Sequence, residues 1–251
     1  MISLDRKLKV LILGHSGMLG HMVKLYLEQF YEIETIDHRW PGFQFREAVH
    51  HSDADYLINC IGAIPQRTDN FHVNIELPIW LDSNFNGRII HPSSDCTVVE
   101  DEYSMSKVSS EDWLMQHGLR TKIIKTSIIG YELAGNASLM EWFLSNSDGE
   151  ETRGYTDHFW NGSTTLQWAK HAELMIERWN KQMDLTIIGT HTSSKHHILR
   201  LLNSIFNRNI NVIPYETGKP VNKSLDLDIM YGSLENQIRE MKEFYEAKKT
   251  R

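Results

Sequence analysis

The sequence is poor in cysteine: only Cys60 and Cys96 occur among its 251 residues. Two cysteines are too few for a disulfide framework or for a zinc site built from cysteines. Positive charge is not in excess either, because 26 Lys and Arg residues stand against 33 Asp and Glu residues, a formal net charge of −7 with neutral histidines. A molecule of this sign repels the phosphates of nucleic acids. The sequence therefore predicts no nucleic-acid partner.

Long apolar runs are missing as well. No stretch approaches the roughly 18 apolar residues that span a bilayer, and the first ten residues lack the apolar segment of a signal peptide. These absences predict a soluble, unprocessed protein with no membrane partner. The scarcity of cysteine fits the reducing cytoplasm. With 41% hydrophobic and 24% charged residues, the chain has the composition of a globular protein with a sizeable core.

Five short apolar runs alternate with helical patterns in the first half of the chain. Residues within these runs do not alternate between polar and apolar, which is typical of strands buried on both faces of a parallel sheet. The runs lie at 8–13, 32–37, 55–62, 87–94 and 121–130. Strands separated by helices predict the α/β class, with a doubly wound parallel sheet of the Rossmann type.

The second half of the chain has a different texture. Residues 145–162 are polar, contain glycine and show no clean period, so we expect a loop-rich region there. Helical patterns return at 164–181, 195–206 and 233–248. Since no repeat or linker marks a clean boundary, we expect a small C-terminal subdomain interleaved with the sheet rather than two separate domains.

Three glycines stand three residues apart between the first predicted strand and the first predicted helix: Gly14, Gly17 and Gly20. Without side chains, a pyrophosphate can approach the free N–H groups of the first helical turn, and the helix dipole favours an anion there. His15 takes the second position, so the spacing is GxxGxxG and not GxGxxG. The pattern predicts a phosphorylated cofactor; a turn made only for close packing is the alternative. The residues predicted to contact the cofactor here are Gly14, Ser16, Gly17, Met18, Leu19 and Gly20.

The end of the second predicted strand bears on which cofactor is bound. Asp37 follows Gly14 by 23 residues, where a carboxylate can accept from the ribose 2′-OH of NAD. Arg39 can pair with the 2′-phosphate of NADP, or it is a solvated loop cation. We expect Asp37, His38 and Arg39 to border the cofactor. The choice between NAD and NADP stays open, with NADPH favoured.

Tyr103 and Lys107 stand at i and i+4 in YSMSK, so on a helix both project from one face. A phenol has a pKa of about 10, and a nearby ammonium helps it to exchange a proton near neutral pH. Ser94 ends the fourth run and should emerge at the carboxyl edge of the sheet, where its hydroxyl can bind a substrate carbonyl. We predict Tyr103, Lys107 and Ser94 as catalytic residues. The alternative is a Tyr and a Lys that simply share an exposed helix face.

Histidine pairs do not indicate a metal site. His196 and His197 follow a serine at a predicted helix start, and His50 and His51 lie in a polar turn with no third ligand in view. We therefore predict no metal. Cys96 lies beside the predicted site without His and Asp partners for a thiolate mechanism.

The ordered motifs resemble the extended short-chain dehydrogenase/reductase superfamily and, within it, the dTDP-4-dehydrorhamnose reductase-like nucleotide-sugar reductases. The similarity covers most of the chain. The segments that carry it are LILGHSGMLG (11–20), DYLINCIG (55–62), PSSD (92–95), YSMSKVSSE (103–111), KTSIIG (125–130), HFWNGSTTLQWA (158–169) and KPVNKSLD (219–226).

This resemblance implies that a nicotinamide passes a hydride to C4 of a 4-keto-6-deoxy nucleotide sugar, in the synthesis of cell-surface polysaccharide precursors. Tyr103 would donate the proton, Lys107 would hold the nicotinamide ribose, and Ser94 would orient the carbonyl. The cofactor cleft would also include Asn59, Cys60, Ile61, Gly62 and Asn74. The substrate would contact Ser94, Asp95, Tyr103, His158, Asn161, Thr164, Lys219 and Asn222. Relatives often pair through helices, so a homodimer is expected.

The resemblance also implies a domain division. Residues 1–130 would form the NAD(P)-binding domain, completed by about 163–190, and residues 131–162 and 191–251 would form the substrate-binding subdomain.

Two departures from the family pattern keep other hypotheses open. Tyr103 follows Ser94 by only nine positions, where the family usually has a longer loop around the substrate, and Lys219 replaces an arginine. A shortened loop would leave the pocket more open, admit a different sugar or mark a loss of catalysis. One alternative is an epimerase or dehydratase on the same scaffold. The other is a non-catalytic NAD(P)-binding regulatory subunit, like the partner proteins of methionine adenosyltransferase.

Overall fold

A computed structural model describes residues 6–96 and 101–249 of the chain. Its strands are β1 (Lys9–Leu13), β2 (Glu32–Ile36), β3 (Tyr56–Asn59), β4 (Arg88–Ser93), β5 (Thr121–Lys125), β6 (Ile128–Ile129), β7 (Glu151–Tyr155), β8 (His158–Trp160), β9 (Ser163–Thr164), β10 (Leu185–Gly189), β11 (Ser193–Ser194), β12 (Asn211–Tyr215), β13 (Val221–Asn222) and β14 (Ile229–Met230). Its helices are α1 (Met18–Leu27), α2 (Phe43–His51), α3 (Val73–Asn84), α4 (Glu102–His117), α5 (Leu139–Leu144), α6 (Thr165–Glu177), α7 (Lys195–Ile205) and α8 (Leu234–Lys249). None of these helices combines the length and the apolar character needed to cross a membrane.

The central sheet has seven strands in the order β14-β10-β5-β4-β3-β1-β2. Every neighbouring pair is parallel. From β1 the chain moves to β2 on one side and then returns to β3 on the other, so the winding direction reverses between β1 and β3. Ligands of open α/β sheets bind at the carboxyl ends of the strands beside such a reversal. The predicted doubly wound α/β fold is confirmed.

Strand β1 shows why these apolar runs become central strands. Val10 and Ile12 point into a core shared with α1 and α6, while Leu11 and Leu13 point into a second core shared with α2 and α3. All four side chains are fully buried. Because successive side chains of a strand face opposite sides, only a strand covered by helices on both faces needs a continuous apolar run.

The smaller part of the molecule is built around a third core. It contains apolar side chains of α5, α7 and α8, among them Phe143, Leu202 and Met241, together with Met22 of α1. Since α1 contributes to two cores, the smaller part is docked directly on the cofactor-binding half predicted from the sequence. Ser194 accepts a hydrogen bond from the His197 N–H at 3.2 Å and so caps α7. This confirms the prediction that His196 and His197 lie at the start of a helix.

Residues 145–162 contain two strands where the sequence indicates loops. Strand β7 pairs with β12, and β8 pairs with β11 and β13. These strands are at most five residues long and half exposed, and their partners are distant in sequence. A local period therefore does not reveal them. Strand β14 belongs to the central sheet although it lies in the segment 191–251, so this segment also completes the sheet.

Candidate active site

The glycine turn lies at the carboxyl end of β1. Gly14 has a φ of +71°, which L side chains rarely adopt, and a Cβ there would come within 2.9 Å of the Cys60 carbonyl carbon. A Cβ on Gly20 would overlap the carbonyl oxygen of Gly14, whereas a Cβ on Gly17 would lie 3.3 Å from that oxygen. Gly14 and Gly20 are thus required by the packing of the turn itself. Gly17 is the glycine whose missing side chain is least explained by packing.

Helix α1 opens toward this turn. Gly17 is its N-cap, no side chain caps the helix, and its first turn contains no acidic residue. The N–H groups of the first turn are therefore not shielded by a side-chain acceptor, as an anion site requires. Leu19 is buried in the core beside α1, so this residue offers only its backbone to a ligand. The turn fits a dinucleotide pyrophosphate.

The residues after β2 stand beside the glycine turn. His15 Nε2 lies 3.4 Å from Asp37 Oδ1, which connects the turn to the end of β2. Asp37, His38 and Arg39 are all exposed. A carboxylate suited to a ribose hydroxyl and a guanidinium suited to a 2′-phosphate thus both face solvent near this end of the sheet.

The side chain of Asn59 supports the loop that follows β3. Its side chain is fully buried, accepts from the Ile61 N–H at 3.1 Å and lies 3.2 Å from His91 Nδ1 through Nδ2. Cys60 donates its N–H to Leu13 O at 2.9 Å, and burial raises the pKa of its thiol. Asn59 therefore holds the shape of the loop through its side chain. The loop presents its backbone at the carboxyl edge.

Asn74, at the start of α3, ties that loop to α4. Its amide pairs with both backbone groups of Ala63, at 2.8 and 3.0 Å, and donates to Ser106 Oγ at 3.0 Å. Gly62 lies between these residues and Lys107, because a Cβ on Gly62 would be 3.4 Å from Asn74 Oδ1 and 3.6 Å from Lys107 Nζ. The Lys107 ammonium thus ends against the loop predicted to line the cofactor cleft.

Helix α4 begins with a capping box. Asp101 accepts from the Ser104 N–H at 2.7 Å, and Ser104 Oγ accepts from the Asp101 N–H at 2.9 Å. This cap starts the helix at Glu102 and places Tyr103 in the first turn, with Lys107 one turn later. The helical spacing predicted for YSMSK is confirmed.

Tyr103 meets Ser94 at the carboxyl end of β4. The Ser94 hydroxyl acts on the phenol of Tyr103 and lowers its pKa, and the ring of Tyr103 packs against Phe71. Ser94 Oγ also accepts from the Cys96 N–H at 3.3 Å, which orients the hydroxyl. The structure therefore brings together the three residues predicted as catalytic, beside the loop at Gly62.

The electrostatic setting keeps Tyr103 protonated and makes its phenol a weaker acid than a free phenol. Burial, followed by the neighbouring Cys96, raises the pKa of Tyr103 to about 12, although Ser94 opposes this shift. Burial lowers the pKa of Lys107 to about 8, against the opposing influence of Cys96 and Glu111. At neutral pH the phenol is therefore protonated and most of the Lys107 amine carries its charge.

A cleft of about 500 Å³ opens at Asp95, the residue that follows Ser94, while Ser94, Tyr103 and Lys107 themselves do not line it. Two of the predicted substrate residues, Asp95 and His158, line it. Burial raises the pKa of Asp95, and the charge of Lys223 opposes this rise. The cleft is lined by Gln66, Asp95, Ser127, Ile128, Ile129, Leu139, His158, Phe159, Trp160, Lys195, Ile198, Val221 and Lys223. A second hollow of about 310 Å³ adjoins it, because Gln66, Leu139 and Lys195 line both.

Two other predicted substrate residues have internal partners. The buried Asn161 side chain donates to Leu225 O and accepts from the Leu225 N–H, both at 2.8 Å. Thr164 is also buried, and its hydroxyl caps α6 by accepting from the Gln167 N–H at 3.2 Å. These contacts hold the fold around the cleft.

The C-terminal segment approaches the cleft through different residues than the sequence predicts. Lys219 and Asn222 are exposed, and Asn222 Oδ1 accepts from the Ser224 N–H at 2.9 Å. Val221 and Lys223 are the residues of this segment that line the cleft.

Sequence reasoning missed Gln66, Lys195 and Lys223, which all line the cleft. Lys195 is the first residue of α7, directly after its serine cap, and that position could have indicated a cation at the rim. Gln66 lies in a loop without a periodic pattern and gives no such signal. The shortened segment between Ser94 and Tyr103 includes residues 97–100, which lie outside the described residues.

No protein-family model matches the chain, and no curated protein matches it significantly. Solved structures do resemble it. A dTDP-4-dehydrorhamnose reductase from Clostridium acetobutylicum has a TM-score of 0.73 at 16% identity, covering 95% of this chain and 100% of its own. The same enzyme from Bacillus anthracis, in complex with NADP, has a TM-score of 0.73 at 16% identity, covering 96% and 100%. A dTDP-glucose 4,6-dehydratase from Bacillus anthracis, in complex with NAD, has a TM-score of 0.71 at 12% identity, covering 97% and 98%.

These likenesses extend over nearly the whole chain at low sequence identity. They confirm the fold that the resemblance implies. The activities of the three enzymes belong to those proteins.

Proposed function

We propose that this chain is an NAD(P)-dependent oxidoreductase of the short-chain dehydrogenase/reductase type, which reduces the 4-keto group of a nucleotide-activated 6-deoxysugar. One observation carries the proposal. Ser94, Tyr103 and Lys107 meet at the carboxyl edge of the sheet, between the glycine turn and the cleft. The structural likeness to a reductase in complex with NADP and a dehydratase in complex with NAD supports a dinucleotide cofactor.

The residues that would hold the cofactor lie along one edge of the sheet. The uncapped N-terminus of α1 would receive the pyrophosphate, and Asp37 or Arg39 would receive the adenosine ribose or its phosphate. The loop 59–62 and Lys107 would flank the nicotinamide end. When bound, the reduced cofactor supplies the hydride.

Side chains of this chain can supply the proton. Tyr103, protonated at neutral pH, donates its proton to the carbonyl oxygen as negative charge develops there. Ser94 donates a hydrogen bond to the same oxygen and orients it. The Lys107 ammonium, one helical turn from Tyr103, stabilises the phenolate that remains. General acid catalysis of this kind typically contributes a factor of about 10² to 10⁴.

The cleft suits an anionic, ring-shaped substrate. Lys195 and Lys223 line it together with one carboxylate, Asp95, so in a protein whose net charge is −7 the cleft has a local excess of cations that favours negative ligands. Trp160 and Phe159 offer apolar surface for a sugar ring or a base. We further propose that the product serves as a precursor of cell-surface polysaccharide, made in the cytoplasm.

The experiment combines the purified chain with NADPH or NADH and a panel of dTDP-, UDP- and GDP-linked 4-keto-6-deoxysugars, and follows consumption of the reduced nicotinamide. We expect net consumption with at least one sugar. Tyr103→Phe should lower kcat by about 10² to 10⁴ while the dinucleotide Kd is unchanged. A fully active Tyr103→Phe variant would refute the mechanism.

Two alternatives have support. The likeness to a dTDP-glucose 4,6-dehydratase favours a reaction that regenerates its own NAD, in which case sugar is converted without net consumption of added NADPH. The short segment between Ser94 and Tyr103 favours a non-catalytic subunit, which binds dinucleotide, turns over no sugar and co-purifies with a stable partner. The same assay separates all three.

A further inference from the structure

The inner side of α4 carries a second charged residue one turn beyond Lys107. This residue is Glu111, at i+4 from Lys107 and therefore on the same face of the helix. Its carboxylate accepts a hydrogen bond from Ser93 Oγ and another from Lys125 Nζ, the latter at 2.5 Å. Ser93 is the last residue of β4 and Lys125 the last residue of β5, so the three side chains join the helix to two central strands.

This cluster is shielded from water. Ser93 is 8% exposed, and the side chains of Lys125 and Glu111 are 9% and 14% exposed. A buried ion pair that also has a hydroxyl donor is held in one geometry, because any movement would leave a charge unpaired. The Glu111 carboxylate therefore has a fixed position relative to α4, directly beside the strand end that continues into Ser94.

Groups from several elements face the Lys107 amine. His91 of β4 is buried, and its burial together with the charge of Lys107 lowers its pKa to about 3, so it is neutral. Cys96, after β4, is a thiol whose pKa burial raises. From α4 itself comes Glu111, and Gly62 borders the amine on the side of the cofactor loop, since a Cβ there would be 3.6 Å from Lys107 Nζ. Among these groups, Glu111 is the one that has a carboxylate and can therefore supply a negative charge near Lys107.

We propose that Glu111, fixed by Ser93 and Lys125 one helical turn from Lys107, is a positioning residue whose charge keeps Lys107 protonated. The inference rests on the proposed function for its catalytic meaning, since a charged Lys107 is needed there to stabilise the Tyr103 phenolate. The effect of the Glu111 charge on the pKa of Lys107 does not depend on the proposed function. Burial disfavours the Lys107 ammonium, and a fixed negative charge one turn away opposes that effect.

Lys125 has the opposite effect on Lys107. Lys125 Nζ lies 2.5 Å from Glu111 Oε1, so the negative charge of Glu111 is partly neutralised by Lys125 before it acts on Lys107. Removing the negative charge should make Lys107 lose its proton more easily. Removing the competing cation should make it hold that proton more tightly.

The test measures the titration of Lys107 directly, without turnover. Lysine side chains are labelled with ¹³C at Cε, and the Lys107 signal is identified by its absence in Lys107→Met. We expect Glu111→Gln to lower the pKa of Lys107 by about 1 unit and Lys125→Met to raise it. The control is Asp112→Asn, which removes one negative charge from the exposed neighbouring position of the same helix and should leave the titration unchanged.

The proposal is wrong if Glu111→Gln leaves the Lys107 titration at the wild-type position, or if Asp112→Asn moves it equally. If Glu111→Gln does not fold, Lys125→Met decides, because only an electrostatic role predicts an upward shift. Once a substrate is known, the alkaline limb of kcat/KM should move with the measured titration in each variant. A purely structural role would lower the melting temperature without moving that limb. If the titration shifts but no sugar is reduced, the proposed function fails and the electrostatic role of Glu111 stands.

Discussion

The ring of Phe71 packs edge-on against the ring of Tyr103, with the two ring centroids 5.5 Å apart and the planes at 67°. Phe71 belongs to the loop that precedes α3, and its carbonyl accepts from the Asn74 N–H at 2.9 Å. The loop that Asn74 ties to α4 thus also restrains the phenol. Edge-to-face aromatic pairs of this kind contribute about 0.5–1.5 kcal/mol beyond the area they bury.

Phe71→Ala should therefore reduce turnover by loosening Tyr103. We expect kcat to fall about fivefold, since the lost restraint is of the order of 1 kcal/mol, with a smaller change in the dinucleotide Kd. The added exposure should also lower the pKa of Tyr103 from about 12 toward that of a free phenol. Steady-state kinetics and ultraviolet titration of the phenol measure the two effects.

Phe71→Leu is the control, because it keeps apolar bulk at this position and should retain most of the activity. Equal losses in the leucine and alanine variants would show that the edge-to-face ring contact, and not apolar bulk, restrains Tyr103.

Lys107 should set the alkaline limit of reduction. Its pKa of about 8 means that the ammonium is present below pH 8 and is lost above it, while Tyr103, at about 12, keeps its proton throughout. We expect kcat/KM to be flat from pH 6 to pH 7.5 and to fall about tenfold per pH unit above about 8.5. A profile measured at constant ionic strength tests this expectation; a limb near pH 10 would show that water reaches Lys107 freely.

Burial of Lys107 should lower the free energy of unfolding at neutral pH. Since the pKa of Lys107 is lower in the folded chain than the ordinary value of 10.5, the folded state binds fewer protons than the unfolded state between about pH 8 and 10.5. This group's contribution to the free energy of unfolding therefore rises with pH in that window.

Gly17 and Gly20 should respond differently to alanine. Gly17 has an ordinary extended backbone, and its added Cβ would meet only the Gly14 carbonyl oxygen at 3.3 Å, so Gly17→Ala should fold with a loss of less than about 1 kcal/mol. We expect its dinucleotide Kd to rise about tenfold or more, because the methyl group stands where a pyrophosphate would approach. Calorimetric binding and thermal unfolding separate the two effects.

Gly20→Ala is the matched variant in the same turn. Its Cβ would overlap the backbone of Gly14, so we expect it to destabilise the fold by about 1–3 kcal/mol or more. A Gly17 variant that is unstable but still binds dinucleotide normally would show that packing requires all three glycines. The glycine turn would then not be the phosphate site.

The central sheet could be predicted from the sequence because its strands are apolar on both faces. Val10 to Leu13 form a continuous aliphatic run because helices cover both sides of the sheet. This pattern can be recognised in the sequence without knowing the tertiary contacts. The helical spacing of Tyr103 and Lys107 is equally local, and the capping box at Asp101 fixes it.

The cleft could not be predicted in the same way, because its residues are selected by pairing between distant segments. Lys223 reaches the cleft, and its neighbour Asn222 does not, because β13 pairs with β8 in a particular register. No period in the sequence encodes that register. The network of Ser93, Glu111 and Lys125 likewise joins three elements that only the sheet order brings together.

Asn161 provides the sharpest test between a substrate contact and a structural one. Its side chain makes two hydrogen bonds of 2.8 Å with the backbone of Leu225, and the residue is 5% exposed. Asn161→Ala would leave a buried N–H and a buried carbonyl without these partners, a loss of about 2–3 kcal/mol. In a chain of this size we expect the melting temperature to fall by about 4–12 °C. If instead Asn161 bound substrate, KM would rise while the melting temperature stayed the same.

Asn222→Ala is the matched control from the neighbouring segment, because Asn222 is exposed and its side chain accepts a single hydrogen bond, from the Ser224 N–H. Its melting temperature should change by less than about 2 °C. Thermal unfolding of the two variants, with kinetics on the same preparations, decides where the substrate contacts lie. A stable Asn161→Ala variant with a raised KM would place the substrate deeper than the cleft and would require the pairing of Asn161 with Leu225 to open during binding.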